Sequence, residues 1–379
     1  MPFYNRFEIY RRMQLERNHF NVNLGDTIYS DTEVAPGIPL ARTVAQKWGK
    51  YRQNLALPNL QNLRNSGTLY SHWDDHEFIN DFSKAEHGLA IYASGVKAFR
   101  DYQPVTYSGI NGLYRSFRWG RNLEVFFLDE RSFRSAKASA GGTCNASTGE
   151  PDLAPTAPQS SRNLFGVLAP SLNDPPPPGC VARINDPSRT MLGARQYAAF
   201  TGAVSRSTAR FKVVMNETPI QQFYALPYDR WEGYETERRR LITFLRTRVK
   251  NVLFLTTDTH GNLVNDVHLQ TLEPGGPDDA KGIVDFVTGP VATKTFSREI
   301  GEEINNPAAG GLVTGLFFLR PPPDGVGMRC ASTDVYSYME VSVSFFRVTI
   351  TPKDRFGRLV RQPQAQNRAC GPFTLPYRP

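Results

Sequence analysis

The sequence predicts an α/β protein built in layers, and three observations carry that expectation. Residues 211–215 and 252–255 are short apolar runs of strand length, separated by a helical stretch over 229–250 in which Tyr234, Leu241, Leu245 and Val249 share one face. Each run passes directly into polar residues, Asn216-Glu217-Thr218-Pro219 and Thr256-Thr257-Asp258-Thr259-His260. Open α/β sheets place their ligands at such strand ends. After residues 321–323 the pattern turns all-β: Val341, Val343 and Phe345 alternate, then Phe346, Val348 and Ile350 on the opposite parity, which implies a bulge or turn between them. With 379 residues and 40% hydrophobic content, the chain can bury a large core as one domain or two.

Taken in order, residues 2–17 space Phe3, Phe7, Tyr10, Met13 and Leu15 as an amphipathic helix does. A short strand over 20–24 ends in Gly25-Asp26-Thr27-Ile28-Tyr29, with Asp26 expected in the crevice and Tyr29 folded back over it. An ordinary turn suits the same residues. Residues 44–63 read as helix broken at Leu55-Ala56-Leu57-Pro58. Residues 70–81, YSHWDDHEFIND, pack Asp74, Asp75, His76, Glu77 and Asp81 between Trp73 and Phe78-Ile79. Such flanks suit a strand end entering a metal pocket, because hard cations need oxygen ligands on a packed scaffold. A helix start, with Asp74 capping and Glu77 three residues on, is the other reading.

A helix is expected over 88–102, and β segments over 112–119 and 123–128. Residues 135–190 are rich in small residues and proline with little periodicity, which predicts a long, partly mobile surface insertion. A helix follows over 193–206, a further strand over 283–287, and a turn at 353–357. Asp258 and His260 lie two apart, so an extended backbone would put both on one side.

Net charge is +8, with 34 arginines to 10 lysines. The excess suits phosphate recognition, or simply reflects a compositional bias of the source genome. The charge is scattered, without the basic stripe of a nucleic-acid groove. No apolar run reaches membrane-spanning length, and residues 1–20 are polar and Arg-rich, unlike an export signal. Cys144, Cys180, Cys330 and Cys370 form no CxxC pair, which argues against a zinc ribbon. Four cysteines in loop-like surroundings suit two disulfides in an oxidising compartment. Of three connectivities, neighbour pairing, 144 with 180 and 330 with 370, is the simplest.

Four strand ends thus carry polar clusters: Asp26/Tyr29, Asp75/His76, Asn216 and Asp258/His260. One carboxylate bridging two cations, with the others completing the shells, would clamp a phosphoryl oxygen and lower the pKa of a bound water. An unbound His76 would protonate the leaving oxygen.

GDTIYSD at 25–31, WDDHEFIND at 73–81, LDERSFR at 128–134, NETP at 216–219, WEGYETER at 231–238 and TDTH at 257–260 together resemble the alkaline phosphatase D (PhoD-like) family of calcineurin-like metallophosphatases, which are related to the purple acid phosphatases. The resemblance covers roughly residues 3–350 and implies a four-layer α/β/β/α sandwich in a single domain over 1–379, with 135–190 as its insertion. It implies Asp26 as bridging ligand, Tyr29 as phenolate ligand to ferric iron, and Asn216, Asp258 and His260 as later ligands. Asp75 stands where related enzymes carry an Asn, and His76 faces the phosphate. Iron with calcium is the implied cofactor set, and Trp231 and Tyr234 line the pocket or pack the core. Two departures stand out. The family carries a strand before its first helix, whose Cys or Asp supplies another iron ligand, and an upstream β-sandwich and export signal; this chain, opening within the helix, is expected to lack them. Thr257 replaces a Gly. The expectation is a secreted or periplasmic, metal-dependent phosphomonoesterase or phosphodiesterase, acting on a small phosphoester or a cell-wall polymer. The rival is a catalytically impaired member that binds phosphate or serves structurally.

Overall fold

The computed structural model describes residues 7–32, 40–273 and 282–379. In chain order the elements begin with α1 (Glu8–Leu15), β1 (Phe20–Leu24), α2 (Val44–Leu55), α3 (Pro58–Ser66), β2 (Thr68–His72), α4 (Lys84–Tyr102), β3 (Arg115–Trp119) and β4 (Leu123–Phe127). There follow α5 (Gln159–Phe165), α6 (Pro178–Ile184), α7 (Gly193–Arg206), β5 (Phe211–Asn216), α8 (Glu235–Arg248), β6 (Val252–Thr256), β7 (Asn262–Asp266) and β8 (Val284–Val287). The chain closes with α9 (Phe296–Glu303), α10 (Ala309–Val313), β9 (Cys330–Ser332), β10 (Ser337–Val343), β11 (Arg347–Asp354), β12 (Arg361–Gln362), β13 (Arg368–Ala369) and β14 (Phe373–Pro376).

A seven-stranded mixed sheet in the order β3-β4-β5-β6-β8-β7-β9 forms the centre. β4, β5, β6 and β8 run parallel, so their carboxyl ends collect on one side. Strand alternation sorts the side chains. Phe126, Val214 and Phe254 pack against Phe200 and Val204 of α7 and Leu241, Ile242 and Leu245 of α8. Their neighbours Val125, Phe127, Val213, Met215 and Leu253 face the other way, toward Val22 of β1, Tyr70 of β2 and Val348 and Ile350 of β11. The parallel pair β1-β2 and the antiparallel β10-β11-β14 are thus stacked on the large sheet. On the outer face of β2, Leu69 meets Phe7 and Tyr10 of the α1 region and Leu60 and Leu63 of α3.

The helix–strand–helix order follows the sequence closely, and the differences have physical causes. The expected first helix spans Glu8–Leu15, and Phe3 lies outside the described residues. Pro58 splits residues 44–63 into α2 and α3, as its missing N–H requires. The helix expected from residue 229 starts only at Glu235, because Trp231–Tyr234 form a 3₁₀ turn. There the Glu232 carboxylate accepts the backbone N–H groups of Phe223 and Tyr224 at 2.8 and 3.0 Å. Residues 135–190 are more built than their composition suggests. They hold α5, α6 and a buried Arg162–Asp152 pair at 2.7 Å. Cys144 pairs with Cys180 and Cys330 with Cys370.

Candidate metal centre

β1 and β2 end side by side, and their ends build one wall of the centre. Gly25 follows β1 with φ +80°, and a Cβ there would sit 2.7 Å from the Asp74 Cβ. Glycine is therefore required for Asp26, itself at φ +50°, to turn inward. Tyr29 folds back as the sequence suggests: its hydroxyl donates to Asp26 Oδ2 at 2.9 Å and lies 3.2 Å from His260 Nε2. A longer contact of 3.4 Å reaches Thr293.

On the β2 side both readings of YSHWDDHEFIND hold in part. Asp74 donates its backbone N–H to Glu77 at 2.9 Å, half of a capping box, yet the segment forms a turn and Asp75 and His76 enter the centre. Trp73 and Phe78 are buried beneath it in edge-to-face contact, 5.3 Å apart. Asp26, Asp75 and His76 offer donor atoms all within 4.8 Å of one another. The His76 ring lies against Tyr29, centroids 4.2 Å apart, and its Nδ1 meets Asp31 Oδ1 at 2.6 Å.

β6 delivers Asp258 and His260 by a route the sequence does not suggest. Their φ values are +62° and +53°, so the pair enters on a left-handed turn and not on extended backbone. Glu299 of α9 holds His260 Nδ1 at 2.7 Å, and the His260 carbonyl accepts the Phe296 N–H. Thr257 stays out of the left-handed region and bonds the Leu24 carbonyl at 3.1 Å, so the threonine there ties β6 to β1. Asn216, at the end of β5, is fully buried, and its amide is engaged by Thr218 and by the Trp231 indole at 3.3 Å. Pocket-lining roles for Trp231 and Tyr234 are not what the structure gives. Both are buried in the core against α7 and α8, and Trp231 reaches Asn216 only from behind.

The electrostatics are those of an anionic centre short of positive charge. Burial raises the Asp26 carboxyl above its ordinary range against the pull of His76, with Asp75 adding to the rise. Burial likewise lifts Asp258 to about 8, although Arg131 opposes it. Tyr29 is held well above the usual phenol range by burial and by Asp26. Burial disfavours charge on His76 and His260, but nearby carboxylates outweigh it. Asp75, Asp26 and Asp31 raise His76 well above its ordinary value, and Glu299 raises His260 to about 9. Among the described residues, Asp26 Oδ1, Asp75 Oδ1 and Asp74 Oδ2 are buried without a hydrogen-bond partner. Buried carboxylate oxygens left unpaired are costly, and coordination by a cation is one way to satisfy them. Carboxylates, a phenol and an imidazole form a donor set for hard cations, so the residues fit metal.

Sequence reasoning missed Asp31, Arg131 and Glu299. Asp31 stands inside GDTIYSD, so that motif held the signal, and Arg131 stands inside LDERSFR. Nothing local marks Glu299, whose role depends on how α9 docks.

Beside the centre lies a cavity of about 700 Å³ that Asp26, Tyr29, Asp258 and His260 also line. Every residue of β1 and of β10 borders it, as strand edges do, and Leu123, Val125, Val213 and Met215 form its floor. β1 pairs with β2 and β10 with β11, so each turns its other edge to this space.

The family model described as PhoD-like phosphatase matches residues 2–313. Alkaline phosphatase D of Bacillus subtilis (strain 168) is 25% identical over 304 residues, an alignment covering 69% of this chain and 45% of that protein. The chain therefore spans less than half the length of this curated relative. A solved structure titled "Structure of PhoD" superposes with a TM-score of 0.60 at 18% identity, covering 94% of this chain and 69% of the other. That likeness concerns the fold. A purple acid phosphatase from yellow lupin seeds is more distant, with a TM-score of 0.49 and 9% identity over 97% of this chain and 48% of its own.

Proposed function

The chain belongs to the PhoD-like phosphatase family, and from that premise we propose a metal-dependent hydrolase of phosphomonoesters or phosphodiesters. The observation that supports it best is the convergence of Asp26, Asp75 and His76 within 4.8 Å, with Tyr29 bonded to Asp26 and close to His260. In this reading Asp26 would serve both cations, Tyr29 and His260 would hold a ferric ion with it, and Asp75, Asn216 and Asp258 would offer oxygens to calcium. Cations held there would neutralise phosphoryl oxygens and make water a competent nucleophile at neutral pH.

The protein's own contribution is positioning and proton transfer. Asp31 fixes His76 through Nδ1, which leaves Nε2 to give its proton to the leaving oxygen. The Tyr29 ring holds the plane of that imidazole. Glu299 fixes His260 in the same manner, so that Nε2 faces the Tyr29 hydroxyl. Trp231 and Thr218 set the orientation of the Asn216 amide.

The packing of helices, large sheet, small sheets and outer helices supports a four-layer α/β/β/α sandwich as one domain, with 135–190 as its insertion. The cavity between β1 and β10 suits the additional strand that the family resemblance implies, ending beside Asp26. Two disulfides suit an extracellular or periplasmic protein, and among the described residues no helix is long and apolar enough to cross a membrane. The substrate class is a small phosphoester or a phosphodiester-linked cell-wall polymer. Hydrolysis of p-nitrophenyl phosphate and its diester, before and after chelation, tests the reading. Activity should vanish on stripping and return with iron and calcium. Turnover untouched by chelation, or none after reloading, would contradict it.

A further inference from the structure

Arginines that lie far apart along the chain gather at one end of the fold. Residues 116–124, 205–211, 343–348 and 375–378 hold six arginines and a single acidic residue, Glu124. Hydrogen bonds and ring contacts join these four segments into one surface. Arg118 of β3 donates to the Thr208 hydroxyl at 3.2 Å, and the Ser207 hydroxyl donates to Glu124 at 2.6 Å. The Arg210 guanidinium lies over the rings of Phe345 and Tyr377, 3.3 and 4.2 Å from their centres. The Tyr377 N–H bonds the Phe346 carbonyl at 2.8 Å. Glu124 also stands 3.6 Å from Arg118, so the one negative side chain is already engaged.

Two hairpin tips carry aromatic side chains out of this surface. Trp119 closes the β3–β4 hairpin and is 42% exposed, while Phe345 and Phe346, between β10 and β11, are 43% and 75% exposed. Exposed rings grouped among cations mark an interaction surface. A second copy of the chain does not suit it, because two such ends would meet with like charge. A soluble polyanion would satisfy the arginines and leave Phe346 in water. The interface of an anionic bilayer takes both, since lipid phosphates attract the guanidinium groups and aromatic rings settle at headgroup level. The surface lies at the amino ends of β4 and β5, where Leu123 pairs with Phe211, and the metal centre lies past their carboxyl ends. A bilayer met there leaves the centre turned to solution.

We propose that the Trp119 and Phe345-Phe346 hairpin tips, with the arginines around them, dock the protein onto an anionic lipid surface. The test floats the full chain with vesicles of mixed phosphatidylglycerol and phosphatidylcholine, and with phosphatidylcholine alone, at low and high salt. The protein should float with the anionic vesicles at low salt, less so at high salt, and not with the neutral ones. A basic side chain near such a surface strengthens binding by about fivefold, so Arg121→Ser and Arg347→Ser should each weaken it by that factor. Phe346→Ser should weaken it about tenfold, as loss of an apolar side chain from a buried position does. All three side chains are exposed, so melting should be unchanged in each variant. Anionic vesicles should also shift tryptophan emission to the blue, and Trp119→Phe should remove that shift. Failure to float with anionic vesicles at low salt would overturn the proposal. So would a blue shift that survives Trp119→Phe. Binding that Phe346→Ser leaves intact would overturn it equally and assign the surface to a soluble polyanion.

Discussion

Gly25→Ala is a small change with a calculable cost at the centre. Gly25 has φ +80°, and its missing Cβ would lie 2.7 Å from the Asp74 Cβ and 3.4 Å from its carboxylate carbon. The left-handed backbone costs an L-residue about 1–2 kcal/mol. Overpacking against a side chain that cannot retreat adds about 1–3 kcal/mol. Asp74 cannot retreat because Arg131 holds its carboxylate and Glu77 its backbone N–H. The expected destabilisation is therefore about 2–5 kcal/mol. At an unfolding entropy near 2.1 cal/mol/K per residue, a chain of this size loses roughly 3–6 °C in Tm. Displacing Asp74 also shifts Arg131 and Asp75, so bound metal should fall along with stability. Differential scanning calorimetry and metal analysis on the same preparation give both numbers. A variant that melts within a degree of the unaltered protein and keeps its metal would refute the tight Gly25–Asp74 contact.

Other outcomes follow from the same geometry. His76→Ala should retain metal and lose turnover by roughly a hundredfold or more, as removal of a general acid does. The loss should shrink for esters with good leaving groups, and an equal loss across leaving groups would point to phosphate positioning instead. Tyr29→Phe should abolish the visible charge-transfer band of a ferric tyrosinate in iron-loaded protein. An iron-loaded, active protein whose spectrum ignores Tyr29 would assign the tyrosine to packing alone. Metal binding to stripped protein should tighten as pH rises from 7 to 9. Asp258, raised to about 8, and His260, raised to about 9, hold protons at pH 7 that a cation must displace; by pH 9 Asp258 has largely lost its proton and His260 about half of its own. Calorimetric titration in buffers of different ionisation heat should report that proton release, and a pH-independent affinity would rule it out.

What the sequence makes legible is local. Apolar strands running straight into Gly25-Asp26, Asp75-His76, Asn216 and Asp258/His260 announce their own ends, and the described structure brings the strand ends bearing Asp26, Asp75, His76, Asp258 and His260 together. Pro58 and the parity change after Val343 mark breaks that backbone chemistry enforces. What stays hidden depends on long-range docking or on backbone conformations that side-chain patterns do not encode. The left-handed turns at Asp258 and His260 defeat a period-two reading. Glu299 meets His260 across 39 positions and Arg131 meets Asp258 across 127, and no local motif signals either pairing. Trp231 and Tyr234 look like pocket residues because aromatic side chains serve both settings, and only the docking of α7 and α8 assigns them to the core.

The central claim is that one carboxylate, Asp26, joins the two halves of a metal centre that carries the hydrolysis. The most direct measurement determines metal content, phosphoester hydrolysis and circular dichroism together on Asp26→Ala. Asp26 lies two residues past the end of β1, outside the apolar core, so the variant should keep its fold and melt as a cooperative unit. It should lose most of its metal and all hydrolysis above background. A folded Asp26→Ala protein with full metal content and full turnover would contradict the account.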